Sequence, residues 1–229
     1  MSSDPNQAPV VNPLPGVVVG LAVAIFAVEL IMLAGERQIV GGADSIGWRT
    51  EAIREYAFFA PVVDFLIERG QWVSSEWRRF VTYPFIHLSF THTLFVIVFL
   101  LALGKLVGEL MGSIAVVATF FVSAIFGALV YAGLAGDPRP LVGGYPAVYG
   151  LIGAYTFILW VTYGNLGESQ WRAFTLIGFL LAFQLIFGVL FGSTNDWVAE
   201  VAGFAMGFVI APVTARGGFR RLVDRMRQR

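Results

Sequence analysis

The chain has 229 residues, 57% of them hydrophobic and only 13% charged, with a formal net charge of zero. The balanced charge removes any bulk electrostatic argument for a nucleic-acid partner. The absence of cysteine excludes disulfides and thiolate chemistry. Apolar runs close to the length that crosses a bilayer, about 20 residues, recur along the chain. They predict an all-α membrane protein with six transmembrane helices and a long interfacial loop between the first two. Residues 1–13 read as a disordered tail without the basic region of a signal peptide. Residues 14–215 read as the membrane domain, and 216–229 as a basic amphipathic tail.

The first span is predicted over Leu14 to Ala34. Glu29 lies inside it, about 7 Å below its end at the helical rise. A membrane carboxylate ordinarily faces the bundle interior with a partner. Contact with a loop arginine, or a neutral hydrogen-bonded state, is the favoured reading; a proton relay is the alternative. The connection from Gly35 to Thr82 mixes six arginines and seven acids with apolar clusters. It is too polar to span, and short helices lying in the interface are expected. Trp72 and Trp77 suit an aromatic belt.

The second span is predicted from near Pro84 to just before Lys105, carrying both histidines, His87 and His92. Val96 follows His92 by one turn, and Glu109 follows Gly108. The third span, Ser113 to Gly136, offers Gly127, Ala128 and Ala132 as a small-residue packing face. Asp137-Pro138-Arg139-Pro140 stops it. The fourth opens after Gly143-Gly144 at Tyr145-Pro146, since proline suits the first helical turn. It continues through Ala147, Gly150, Gly153 and Ala154 to about Tyr163. The fifth runs from about Trp171 to Gly192, with Gln184 its one polar interior residue, suited to an interhelical hydrogen bond. The sixth follows an N-cap cluster, Ser193 to Asp196. It contains Ala199, Glu200, Gly203 and Gly207.

These residues resemble the rhomboid intramembrane serine proteases. The family pattern Gly-x-Ser-Gly, then Ala-x-x-Gly-Leu-x-Gly-Ala, is kept at Gly143, Ala147, Gly150, Leu151, Gly153 and Ala154. Tyr145 stands at the nucleophile serine and Pro146 at the second glycine. His-x-x-x-x-His-x-x-x-Asn is matched by His87 and His92, with Val96 at the asparagine that helps hold the oxyanion. Ala-His-x-x-Gly-x-x-x-Gly is matched by Ala199, Gly203 and Gly207, with Glu200 at the general-base histidine. Trp77-Arg78 resembles the Trp-Arg pair of the family's first loop. Glu109 resembles an acid the family uses to support that loop, or is an ordinary interfacial carboxylate.

The resemblance implies a six-helix rhomboid-like bundle without serine-peptidase activity, a pseudoprotease. It implies a role in binding or assembling other transmembrane proteins, as inactive relatives do. A serine peptidase of unorthodox chemistry and a small-molecule or proton path are the alternatives. Helices two, four and six enter from one side, so His92, Tyr145 and Glu200 should share one depth. Buried polar groups cluster, and one hydrogen-bonded group of these three is expected. A metal on His87, His92 and Glu200 is disfavoured, because an i, i+5 pair diverges on a helix. No cofactor or metal is expected. Partners are the bilayer, transmembrane helices, and anionic lipid at the arginine-rich tail, with no nucleic acid. The positive-inside rule places that tail, and with six spans both termini, in the cytoplasm of a bacterial inner (plasma) membrane.

Overall fold

The computed structural model describes residues 13–71, 74–135, 137–191 and 194–215. Trp72, Gly136, Ser193, the polar start and the basic tail with its expected amphipathic helix and lipid contacts lie outside the described residues.

Helix α1, Gly16–Glu36, follows Pro15 and is apolar along its length except at Glu29 and its last residue, Glu36. It ends where Gln38 turns left-handed at φ 56°, which lets the Ile39 N–H reach back to the Ala34 carbonyl at 2.9 Å. Trp48 then packs over Gly35, where a Cβ would come within 2.8 Å of the indole. The long connection is folded. It holds α2 (Trp48–Tyr56), α3 (Ala60–Glu68) and the short α4 (Arg79–Thr82). Pro61 stands in the first turn of α3, where its missing donor is no loss. The buried Arg79 ties the segment together by donating to the carbonyls of Arg54 and Ala57, both at 2.8 Å. An isolated antiparallel bridge joins Phe58 to Leu141, with hydrogen bonds of 3.1 and 2.9 Å.

The remaining helices are α5 (Phe90–Met111), α6 (Ser113–Leu134), α7 (Tyr145–Asn165), α8 (Thr175–Phe191) and α9 (Asp196–Thr214). Helices α1, α5, α6, α7 and α9 are long and apolar enough to cross a bilayer. Helix α8 is shorter, with 17 residues, and rises about 25 Å against the roughly 30 Å of a hydrocarbon core. The all-α membrane bundle expected from the sequence is present.

Some boundaries differ from expectation. The second span does not begin near Pro84: Tyr83–Phe85 form a 3-10 turn and Ile86 is extended. Helix α5 starts at Phe90 because the Ser89 hydroxyl caps it, accepting from the His92 N–H at 3.3 Å. It also runs past Lys105 to Met111. Gln170–Phe174 is a 3-10 turn, so α8 begins later than Trp171. Asn195 stands at the N-cap of α9 but does not cap it with its side chain. Its amide instead donates to the Ala135 carbonyl at 3.1 Å, tying α9 to the end of α6.

The tightest packing joins α6, α7 and α9. A Cβ on Gly207 would lie 1.9 Å from the Gly150 carbonyl oxygen, and one on Gly203 would lie 2.2 Å from that of Pro146. One on Gly153 would lie 2.1 Å from the Phe204 carbonyl oxygen. Gly127 of α6 likewise faces the Ala199 carbonyl at 2.7 Å. Without a Cβ the three backbones come together and hold the starts of α7 and α9 side by side.

Candidate functional site

The Gly143-Gly144 turn delivers the chain into α7 at Tyr145. Gly143 has φ 90°, a left-handed value that favours glycine, and its amide donates to the Tyr83 carbonyl at 3.0 Å. A Cβ there would lie 2.7 Å from the His92 ring and 3.3 Å from His87. The two imidazoles pack edge to face, 5.0 Å between centroids. His92 also stacks on Tyr145, centroids 5.1 Å apart and planes 17° apart.

His87 lies before α5 in extended chain, not on the helix. The divergence expected of an i, i+5 helical pair therefore does not apply, and the rings meet. Its Nε2 accepts from the Gly144 N–H at 3.3 Å, which leaves the ring proton of a neutral imidazole on the buried Nδ1. Burial, with the neighbouring His92 and Arg49, pushes its pKa down to about 3, so it is neutral. Val96 is fully buried one turn after His92, and its Cγ1 stands 2.8 Å from where a Gly144 Cβ would be. The space around the Gly144 amide is thus occupied by His87 and Val96.

Glu200 is buried in the first half of α9. Gln184 of α8 donates its amide to the Glu200 carboxylate across the helices. The Tyr149 hydroxyl, one turn after Tyr145, approaches the same carboxylate. The single hydrogen-bonded group expected of Tyr145, Glu200 and His92 is therefore divided. Tyr145 and His92 meet through their ring faces. Glu200 turns to Gln184 and Tyr149 instead, because those donors lie on the facing side of α8 and one turn deeper on α7. Among the described residues, no three His, Asp or Glu side chains gather as a metal site would need.

The other intramembrane acid, Glu29, meets a loop arginine. Arg49 of α2 donates through both terminal nitrogens to its carboxylate, at 2.8 and 3.1 Å, and the Thr93 hydroxyl adds a third bond at 2.7 Å. The same guanidinium donates to the His87 carbonyl at 2.8 Å and to Glu36. A continuous path of hydrogen bonds therefore runs from Glu29 through Arg49 and His87 to Gly144. The Trp77 indole N–H donates to the Gln71 carbonyl at 3.2 Å and its ring stacks on Phe80. Arg78 pairs with Glu55 and lies over the Tyr56 ring. Glu109 is inside α5 near its end, 3.9 Å from Lys105. Ala147 is fully buried.

The family pattern described as Rhomboid domain matches residues 74–217. The chain belongs to the rhomboid family. Rhomboid-like protease 3 of Toxoplasma gondii is 31% identical over 133 residues, 58% of this chain and 49% of that protein. Rhomboid-like protease 1 of the same organism is 28% identical over 145 residues, 63% of this chain and 48% of that protein. The chain spans about half the length of these curated relatives. In this rhomboid the match takes in α4 to α9, and so the Gly143–Tyr145 turn, both histidines and Glu200. Helix α1 and Arg49 precede it.

Sequence reasoning missed Arg49, Thr93 and Tyr149. Arg49 is one of six arginines in its loop, and nothing local distinguishes it. Tyr149 carries a signal: it stands four residues after Tyr145, on the same helix face.

Proposed function

We propose that this rhomboid has no serine-peptidase activity and binds the transmembrane helices of other membrane proteins. The observation that carries the first half is the Tyr145 ring lying against His92 where the family pattern has its serine. A phenol with reference pKa near 10 and a carboxylate near 4 are poorly matched to serine hydrolysis. Loss of the nucleophile or base in a soluble serine protease costs about 10⁶ in kcat. Val96 supplies no donor to an oxyanion, and a missing donor costs on the order of 10² to 10³. The second half rests on fold analogy, supported by the wide apolar surface of the bundle.

Purified full-length chain in proteoliposomes should leave a fluorescent transmembrane peptide intact and take up no fluorophosphonate probe. Crosslinking in native membranes should recover membrane-protein partners. Turnover that disappears on substitution of Tyr145 or Glu200 overturns this reading and establishes a peptidase. The peptidase reading is favoured by the protease names of both relatives.

We propose that both termini lie in the cytoplasm, on the strength of the arginine-rich 216–229 segment. Because the chain lacks cysteine, a single cysteine introduced near either end reports its side through impermeant thiol reagents.

A further inference from the structure

Three acidic side chains are buried among the described residues: Glu29, Asp137 and Glu200. Glu29 is held by Arg49 at 2.8 Å, and Asp137 by Arg139 at 2.6 Å. Glu200 has no cation within ion-pair distance among the described residues; its donor is the neutral Gln184, with the Tyr149 hydroxyl close by. A carboxylate at membrane depth ordinarily finds a cationic or polar partner inside the protein. This one has only the weaker kind.

The helix that supplies Gln184 is thinly attached. Helix α8 packs mainly on the Gln170–Phe174 turn that precedes it. Beyond Ile177 none of its described side chains is buried, and Leu185, Ile186, Val189 and Leu190 are each more than half exposed. Leu180 and Leu181 touch the core, and among the described residues Gln184 makes the one hydrogen bond found from α8 to α9. The Gln184 carbonyl oxygen is buried and accepts no hydrogen bond. The pairing at Glu200 is thus provisional in a physical sense: a neutral amide on a lightly held helix occupies a place suited to a cation.

We propose that Glu200 is the recognition point for a partner transmembrane helix that carries a basic residue inside the bilayer, whose cation replaces the Gln184 amide beside α8. This rests on the reading that the chain binds transmembrane helices, and it names their chemistry. Charge complementarity commits the occupant: a basic side chain in hydrocarbon is costly alone and gains most from a buried carboxylate. Glu200 lies four residues into α9, about 6 Å below the helix start, so the basic residue belongs at that depth.

The test uses full-length chain in nanodiscs and synthetic Leu/Ala spanning peptides that differ at one position, Lys, Leu or Glu, set at the depth of Glu200. Association is read by fluorescence energy transfer. The Lys peptide should bind about tenfold tighter than the Leu peptide, an ordinary step for one added ion pair. Glu200→Gln should abolish that advantage. Gln184→Leu should enlarge it, since the competing amide is gone. If the Leu peptide binds and Lys adds nothing, the charge recognition is refuted while helix binding stands. A Lys advantage that survives Glu200→Gln also refutes it. If no peptide binds, both fall. Should Glu200→Gln fail to give monodisperse protein, Gln184→Leu decides alone, and an unchanged Lys advantage there overturns the proposal. Cleavage of any peptide would sink the inactivity reading and leave the recognition untouched.

Discussion

The Tyr145 phenol lies nearly parallel to the His92 imidazole, centroids 5.1 Å apart. Its hydroxyl makes no hydrogen bond found among the described residues, so the contact is one of ring faces. Tyr145→Phe should therefore leave stability within about 0.5 kcal/mol, as for a surface-like change. Tyr145→Ala should lose the stacking, about 0.5–1.5 kcal/mol beyond the area effect. Reversible unfolding in mixed micelles measures both, and a Phe variant as unstable as the Ala variant would show that the hydroxyl matters.

Replacing the tyrosine alone should not create a hydrolase. In Tyr145→Ser the position we propose for the base still holds Glu200, engaged by Gln184, and Val96 still fills the place beside Gly144. Fluorophosphonate labelling of that variant should equal the background of the parent chain. Robust labelling would mean that another base serves the introduced serine.

Glycine at the α7–α9 crossing is predicted to be irreplaceable. Gly207→Ala places a methyl 1.9 Å from a backbone oxygen that cannot swing away, so the helices must part. The cost should reach or exceed the roughly 1–3 kcal/mol typical of overpacking. Gly20→Ala is the control, since nothing lies within 4 Å of its would-be Cβ. Helix propensity alone should make that variant more stable by up to about 1 kcal/mol. Equal melting temperatures for the two variants would contradict the crossing geometry.

The Glu29–Arg49 pair should behave asymmetrically. Arg49→Met leaves Glu29 buried without its cation, a change of about 3–5 kcal/mol for a broken buried pair. Glu29→Leu leaves Arg49 with Glu36 and the His87 carbonyl, and should cost less. The double variant should be more stable than Arg49→Met alone. A purely additive double-mutant cycle would remove the coupling.

Acid should weaken the fold through His87. Its folded pKa, about 3, is below the ordinary 6.5, so the unfolded chain binds the proton first. Stability contributed by the neutral ring is complete above pH 6.5 and falls as pH drops toward 3. His87→Gln should flatten the dependence of the melting temperature on pH between about 6.5 and 4. An unchanged slope would mean that the ring is not held neutral.

Much of the bundle was legible in the sequence. Apolar runs marked the long helices, and Gly150, Gly153, Gly203 and Gly207 marked their closest approach, because both signals are local. The start of α5 was not, since Pro84 reads as a helix opening until the Ser89 cap is seen. Nor was the separation of Glu200 from His92. Equal depth in a membrane brings side chains to one level but leaves their direction around each helix free. That direction is set by which neighbour carries a donor, and here it is Gln184 on α8.

The Phe58–Leu141 bridge fastens the first loop directly to the segment that feeds the Gly143-Gly144 turn. Arg49 grips the other side of the same turn through His87. Two anchors on a short stretch leave it little slack. A shift of the strap between α1 and α5 would therefore be passed to the mouth of α7.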